Sequence, residues 1–414
     1  MRKIGSFLSV YLIVCIFVSC EMSARTYSPL FICSSKLDNP YGLCTHINRV
    51  GDRYEYNTRE QDMLMAASTG ASYIRTDIDW VYCQPRPNGL YSFEHHQSMM
   101  SAVKKNKLKT LGILWPAVPD RDFSQYEDYL RKNAALYKGD IDYWEVVNEA
   151  DYLSNTDTSL VPERYINMIR SANSVIKEEN KKAKILYTSI AWIRNSFVDE
   201  SFALGAAQYC DIMNIHRYAN KKELPEAIIG YLQEFKDNLQ KHNINKPLWI
   251  TETGCSTAEG WATEQTQAER LPRLFLIPFA LGVDKVFWYK TRSCELKSHH
   301  HEDYFGLWHK DYTPKPAYYA YKTLTKMCPD KSSRPILHSK GSFFYSEWIR
   351  PDKKKVYAMW ESEKKKRIPL SIKGIHTCYD LYGNVIKENG NEYEISPSII
   401  YIVGEKKLKI QFEL

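Results

Sequence analysis

Two glutamates close apolar runs, where an unpaired charge is costly to bury. Glu149 ends Trp144-Glu145-Val146-Val147-Asn148-Glu149, and Glu252 lies in Leu248-Trp249-Ile250-Thr251-Glu252-Thr253-Gly254. Hydrolysis of a glycosidic bond requires two such carboxyls across one pocket. One is held neutral to protonate the leaving oxygen, and the other is ionised to attack the anomeric carbon. The polar and aromatic residues ending comparable runs are His46, Arg75, Asp77, Asp79, Trp115, Asn148, Trp192, His216, Tyr218 and Trp288. Aromatics make up 13% of the chain, with 30 Tyr and 10 Trp, so rings are available either to fill a large core or to stack on sugar faces.

Each residue also has a plainer reading. The glutamates can cap helices or pair with arginine. Arg75 and Asp77 can form a buried ion pair, His46 and His216 can be satisfied core histidines, and Trp115 and Trp192 can be packing. His299-His300-His301-Glu302-Asp303 invites a metal reading, but adjacent histidines splay and seldom chelate together, so no metal and no cofactor is expected.

The elements that must position these groups are eight apolar segments. They span residues 41–46, 73–79, 109–115, 142–149, 184–192, 211–218, 247–252 and 284–289. Most are rich in Ile, Val, Leu, Trp and Tyr, as in strands covered on both faces. Helical periodicity lies between them. Thr58-Arg59-Glu60-Gln61 reads as a capping box opening a helix that Gly70 closes, and Pro162 fits a first turn. Eight βα units predict an α/β fold, a (β/α)8 barrel over 37–328, with functional groups at the C-terminal ends of its strands. A doubly wound sheet is the rival, but no Gly-rich phosphate loop follows the first strand. After about residue 335 helical periodicity stops. Short strands at 343–349, 355–360, 367–372, 376–380, 392–395 and 399–403 predict a small antiparallel β-sandwich over 335–414.

At the N-terminus, Arg2-Lys3 and an apolar run to Val18 form a secretory signal over 1–19, too short to span a membrane. Phe17-Val18-Ser19-Cys20 resembles a bacterial lipobox, which implies cleavage before Cys20 and a lipid anchor on its thiol. The expected location is the cell envelope, anchored to the outer membrane, periplasmic or surface-exposed, with 20–36 as a linker. Simple signal cleavage near Ser23-Ala24 and a soluble secreted protein is the alternative. Eight further cysteines show no CxxC pair and no metal-ligand spacing, so a disulfide-dependent scaffold is not implied, although a bridge or two remains open. The chain has 414 residues and is 44% hydrophobic, enough for a large core. Its net charge of +7 carries no basic helix face, which disfavours nucleic acid as a partner.

The ordered motifs resemble the retaining glycoside hydrolases of clan A, with families 39 and 5 nearest. The two glutamate runs look like that clan's catalytic strands. Ile74-Arg75-Thr76-Asp77-Ile78-Asp79-Trp80, Asn214-Ile215-His216-Arg217-Tyr218 and Phe287-Trp288-Tyr289 look like its second, sixth and eighth strands. Gly306-Leu307, Pro314-Lys315-Pro316 and Tyr379-Asp380-Leu381-Tyr382-Gly383-Asn384 look like its last helix entry and its appended sandwich. The resemblance implies Glu149 as acid/base and Glu252 as nucleophile, with carboxyls about 5–5.5 Å apart. It implies that Asn148 holds the sugar 2-OH, Tyr218 orients Glu252, and Arg75 keeps Glu252 ionised. His46 and His216 would contact hydroxyls, and Trp288 would floor the cleaved subsite. The raised pKa expected of Glu149 would come mainly from Glu252 and from burial. Ala150 stands where many clan members have Pro. The implied activity is double-displacement cleavage of an oligosaccharide or polysaccharide by a monomer, of β-xylosidase, β-mannanase or β-glucosidase type. The alternative is a carbohydrate-binding pseudoenzyme on the same scaffold, but dead relatives commonly lose one of the two glutamates.

Overall fold

The computed structural model describes residues 24–49, 58–115, 123–219, 221–295, 300–387 and 392–412. The signal segment, Cys20, His299 and Asn389-Gly390-Asn391, whose residue types read as a turn signal between two of the C-terminal strands, lie outside the described residues. Strands are numbered along the chain from β1 (Arg25–Thr26). The next eight are β2 (Tyr41–Cys44), β3 (Tyr73–Asp79), β4 (Lys109–Trp115), β5 (Tyr143–Val146), β6 (Lys184–Leu186), β7 (Met213–His216), β8 (Leu248–Thr253) and β9 (Lys285–Trp288). They form one parallel sheet in the order β6-β5-β4-β3-β2-β9-β8-β7. The seam between β6 and β7 is joined by bridges Leu186–Ile212 and Ile190–Ile215. The Tyr187 N–H also donates to the Ile212 carbonyl at 3.0 Å, and the His216 N–H to Ile190 at 2.9 Å. Helices alternate with the strands, so the fold is the expected (β/α)8 barrel.

Period-2 alternation fills the lumen in layers. Near the N-terminal end lie Tyr73, Leu111, Tyr143, Leu186, Ile212, Trp249 and Phe287, packed as one cluster. Gly42 on β2 makes room for this layer, since a Cβ there would lie 2.1 Å from the Phe287 ring. Two residues further along the same strands come Arg75, Glu145, Asn214 and Thr251, all buried. An apolar plug therefore closes one end, and polar groups gather toward the other.

Several ladders are shorter than their apolar runs. The fifth barrel strand stops at Leu186 rather than at residue 192, because Thr188 and Ser189 turn their hydroxyls to neighbouring backbone. The Thr188 hydroxyl donates to the Val147 carbonyl at 2.8 Å and accepts from the Ala150 N–H at 3.0 Å, and Ser189 Oγ accepts from the Glu149 N–H at 3.0 Å. The helix Arg59–Ser68 forms as expected and Gly70 follows it at φ +85°, but Thr58 makes no side-chain cap. Its hydroxyl instead accepts from Arg292 at 3.0 Å.

The C-terminal strands are β10 (Ile336–Lys340), β11 (Phe343–Ile349), β12 (Lys355–Glu361), β13 (Lys366–Lys373), β14 (His376–Tyr379), β15 (Glu392–Ile395), β16 (Ile400–Gly404) and β17 (Lys409–Phe412). They form antiparallel sheets in the orders β1-β10-β11-β12-β16-β14 and β15-β13-β17. The stretch read as a linker thus contributes an edge strand: β1 pairs with Ser339 and His338 of β10. The sandwich sits on the barrel. The Trp348 indole donates to the Met327 carbonyl at 2.9 Å, while Trp360 and Arg273 converge on the Glu226 carboxylate. Among the described residues no disulfide joins any two of the eight cysteines, and seven of them are buried. Among the described residues, no helix is long and apolar enough to cross a membrane.

Candidate active site

The polar layer is organised by Arg75, only 3% exposed on β3. Its guanidinium grips the wholly buried Glu145 through Nε at 2.8 Å and Nη2 at 2.6 Å. Nη1 donates to Glu252 at 2.6 Å and Nη2 to Asn148 Oδ1 at 2.6 Å. Such a buried pair repays its desolvation only when every lobe is bonded, and the fork geometry of arginine meets that condition here. Glu145 lies four residues before Glu149, and its role went unrecognised in the sequence. Lumen-facing parity with Tyr143 is the signal that points to it. The Arg75–Asp77 pair does not form; Asp77 faces Arg49 at 3.5 Å.

Removing the fork has a large expected cost. Arg75→Met should lower unfolding stability by about 3–5 kcal/mol, because it strands the charge of Glu145 inside the barrel. The double variant Arg75→Met with Glu145→Met should regain much of that stability in denaturant titration while staying inactive. A single variant as stable as the native chain would show that the pair does not carry this load.

Glu252 reaches the cleft through an irregularity. β7 and β8 pair in register up to Ile215–Ile250, then slip so that His216 faces Glu252. The slip lets Thr251 face the lumen from below while Glu252 also turns into the cleft, as a bulge re-aims a side chain. The Tyr218 hydroxyl donates to Glu252 Oε2.

Glu149 lies three residues past the end of β5, at the start of the helix Ala150–Leu153. It adopts φ +49°, and Val147 adopts φ +66°. Left-handed backbone at a β-branched residue is strained by about 1–3 kcal/mol, and such strain clusters where a side chain must be aimed. The Thr188 and Ser189 hydroxyls described above hold it in place.

The geometry joins the two acids. His216 Nδ1 lies 2.6 Å from Glu149 Oε1 and 3.5 Å from Glu252 Oε2. One carboxylate oxygen from each glutamate and one His216 nitrogen all lie within 4.8 Å of one another. Such a trio could also hold a cation, but both His216 nitrogens already meet protein oxygens, Nε2 lying 3.2 Å from Thr251 Oγ1. Burial pushes the Glu149 carboxyl up to about 7 against the lowering effect of Arg75, with Glu145 and Glu302 adding to the rise. Burial, expected as one main cause, is the largest, but Glu252, expected beside it, is not among the causes, and Glu145 and Glu302 add to the rise in its place. Burial also pulls His216 down to about 4, so its imidazole is neutral near pH 7.

Of the expected ligand-contacting residues, His46, Arg75, Asn148, His216 and Tyr218 line the same cleft of about 660 Å³ as Glu149 and Glu252. Both hydrogen bonds to Asn148 fall on Oδ1, from Arg75 and from Ser189 at 3.2 Å, which leaves the amide nitrogen to donate. Trp288, expected to floor the cleaved subsite, does not line the cleft. It is wholly buried, and its indole donates to the Phe305 carbonyl at 3.3 Å. On β9 the lumen-facing parity belongs to Phe287 and Tyr289, which turns Trp288 outward into the packing beneath the helices. Tyr289 lines the cleft instead, with its hydroxyl 3.1 Å from His46 Nε2. Trp115 and Trp192 also reach the cleft. In the histidine run, His301 stacks on Trp261 at 4.6 Å and Glu302 faces the cleft.

Residues 70–306, more than half of the chain, match the glycosyl hydrolase catalytic core family. The chain belongs to that family. No curated protein matches the sequence of this glycosyl hydrolase. Its fold is similar to that of a family 39 glycoside hydrolase from the gut symbiont Bacteroides cellulosilyticus WH2, with a TM-score of 0.72 and 17% identity over 89% of this chain and 81% of that one. A glucosidase from Croceicoccus marinus gives a TM-score of 0.67 at 11% identity, covering 92% and 98%. A monomeric β-xylosidase from Caulobacter crescentus CB15 gives 0.64 at 12% identity, covering 90% and 98%. The glycosyl hydrolase thus combines the family's barrel with a carboxyl pair at the C-terminal mouth of its strands.

Proposed function

We propose that this glycosyl hydrolase cleaves O-glycosidic bonds with retention of configuration, through Glu252 as nucleophile and Glu149 as acid/base. The observation that carries the reading is the approach of the two carboxylates to within 4.8 Å. Retaining enzymes hold their carboxyls about 5–5.5 Å apart, and inverting enzymes leave about 6.5–9.5 Å for a water. In the first step a Glu252 oxygen bonds to the anomeric carbon while the bond to the leaving oxygen breaks and that oxygen takes the Glu149 proton. In the second, Glu149 as carboxylate takes a proton from water, whose oxygen displaces Glu252. Asn148 donates to the sugar 2-OH, and Tyr218 and Arg75 orient the nucleophile. With both glutamates in one cleft, a binding-only role finds no favouring observation.

The proposed substrates are xylose-, glucose- or mannose-configured glycans. The support is the naming of structural neighbours as β-xylosidase, glucosidase and, at a TM-score of 0.54 and 14% identity, an exo-β-1,4-mannosidase from Opitutaceae. The test is a panel of aryl glycosides and plant and host polysaccharides, with proton NMR of the first anomer released. Retained configuration supports the reading, and inverted configuration rejects it.

The pH dependence follows from the raised carboxyl. Glu149 must carry its proton to act as acid, so kcat/KM on unactivated glycans should fall as pH rises through about 7. A rate that stays level to pH 9 would remove Glu149 from that role. We also propose that a lipid on Cys20 holds the chain at the outer membrane. Labelled palmitate incorporated by the native chain and lost in Cys20→Ala would bear this out, and equal labelling of the two would refute it.

A further inference from the structure

We propose that Trp192 and Tyr152 form the leaving-group subsite, a platform on which the departing sugar ring stacks. The inference rests on the proposed acid/base role of Glu149. Exposed apolar side chains that lie together at a groove mark binding sites, whereas singly scattered ones are ordinary surface. Trp192 is 50% exposed and Tyr152 46%, and their rings meet edge to face at 5.3 Å on the wall of the cleft.

Their mounting places them on one side of the bond. Tyr152 is one helical turn beyond Glu149, its N–H donating to the Glu149 carbonyl at 3.0 Å. Trp192 is tied to the same turn by Asp151, a wholly buried carboxylate. Asp151 Oδ1 accepts from the Ala191 N–H at 3.0 Å, and Oδ2 from the Trp192 N–H at 2.8 Å. The platform is therefore rigidly coupled to the group that protonates the leaving oxygen. The nucleophile is held by Arg75 and Tyr218, with Tyr289 and His46 in the same cleft, and none of these four is bonded to Tyr152 or Trp192 in the contacts described above. A ring whose oxygen faces Glu149 must lie on the Glu149 side, against Trp192. Asp151 acts as a positioning residue, fixing the Trp192 loop relative to the acid. The ligand class is a sugar ring with an apolar face, so the enzyme selects for a glycan on both sides of the cleaved bond.

The test compares two leaving groups. β-Xylosyl, β-glucosyl and β-mannosyl fluorides present no ring to the platform, whereas the matching β-1,4-linked disaccharides and trisaccharides do. Trp192→Ala, at a half-exposed position where folding is not at risk, should lower kcat/KM on the oligosaccharides about tenfold. It should leave the fluorides within about twofold, and Trp192→Phe should keep most of the oligosaccharide activity. Asp151→Asn, which retains a single acceptor, should show the same selective loss in smaller measure. An equal loss on both substrate types, or none on either, would overturn the subsite. A native chain inert toward every fluoride and every oligosaccharide would instead sink the hydrolase reading on which the subsite rests.

Discussion

Glu252→Ala should lose about 10⁵- to 10⁶-fold in kcat, the scale seen when a group acting within a catalytic unit is removed. Neither of the two nearest glutamates is placed to take its role. Glu145 lies deeper and is held by Nε and Nη2 of Arg75, and Glu149 lies across the cleft. The fold should survive, because Arg75 keeps its fork on Glu145 when Glu252 is gone. With Glu252→Gly, added azide can occupy the vacated space and attack the anomeric carbon directly, giving a glycosyl azide of inverted configuration. Thermal melting near that of the native chain, together with lost turnover, would separate chemistry from stability. Appreciable turnover by Glu252→Ala on natural glycans would remove the residue from the mechanism.

Glu149→Ala should fail differently. On unactivated glycans kcat/KM should drop about 10²- to 10⁴-fold, the usual contribution of general acid–base catalysis. A dinitrophenyl glycoside needs no proton to depart, so it should still glycosylate Glu252. The intermediate should then accumulate, because no base activates water. Pre-steady-state release of dinitrophenol should show a burst, and azide should yield a glycosyl azide of retained configuration. Exchanged stereochemical outcomes in the two variants would reverse the assignment.

The barrel was legible because buried parallel strands write their burial directly into apolar runs, and because helical stretches separate them at regular intervals. Glu149 and Glu252 were legible for the same reason: an acid closing such a run stands out. What remained hidden depended on parity and register. Trp288 and Tyr289 are both aromatic neighbours at a strand end, and only the lumen-facing alternation through Phe287 selects Tyr289. Glu145 reads as one more polar residue until Arg75 is brought to it from β3 across β4. The slip between Ile215–Ile250 and His216–Glu252 leaves no trace in residue type, yet it turns Glu252 into the cleft. β1 was missed because a two-residue edge strand has no periodicity to detect. Burial as a cause of the raised Glu149 pKa was legible from its place at the end of an apolar run, whereas the contributions of Glu145 and Glu302 in place of Glu252 depend on the folded geometry.

Retention through Glu252 requires a covalent glycosyl-enzyme on that residue, and a slow substrate can trap it. The native chain would be incubated with 2-deoxy-2-fluoro glycosyl fluorides of the xylo, gluco and manno series, which slow the second step more than the first. It would then be digested with pepsin and mapped by mass spectrometry. The expected result is one added fluorosugar, carried by the peptide containing Trp249-Ile250-Thr251-Glu252-Thr253, and its absence in Glu252→Ala. A label found on Glu149 or elsewhere, or steady turnover of these sugars with no label on any peptide, would contradict it.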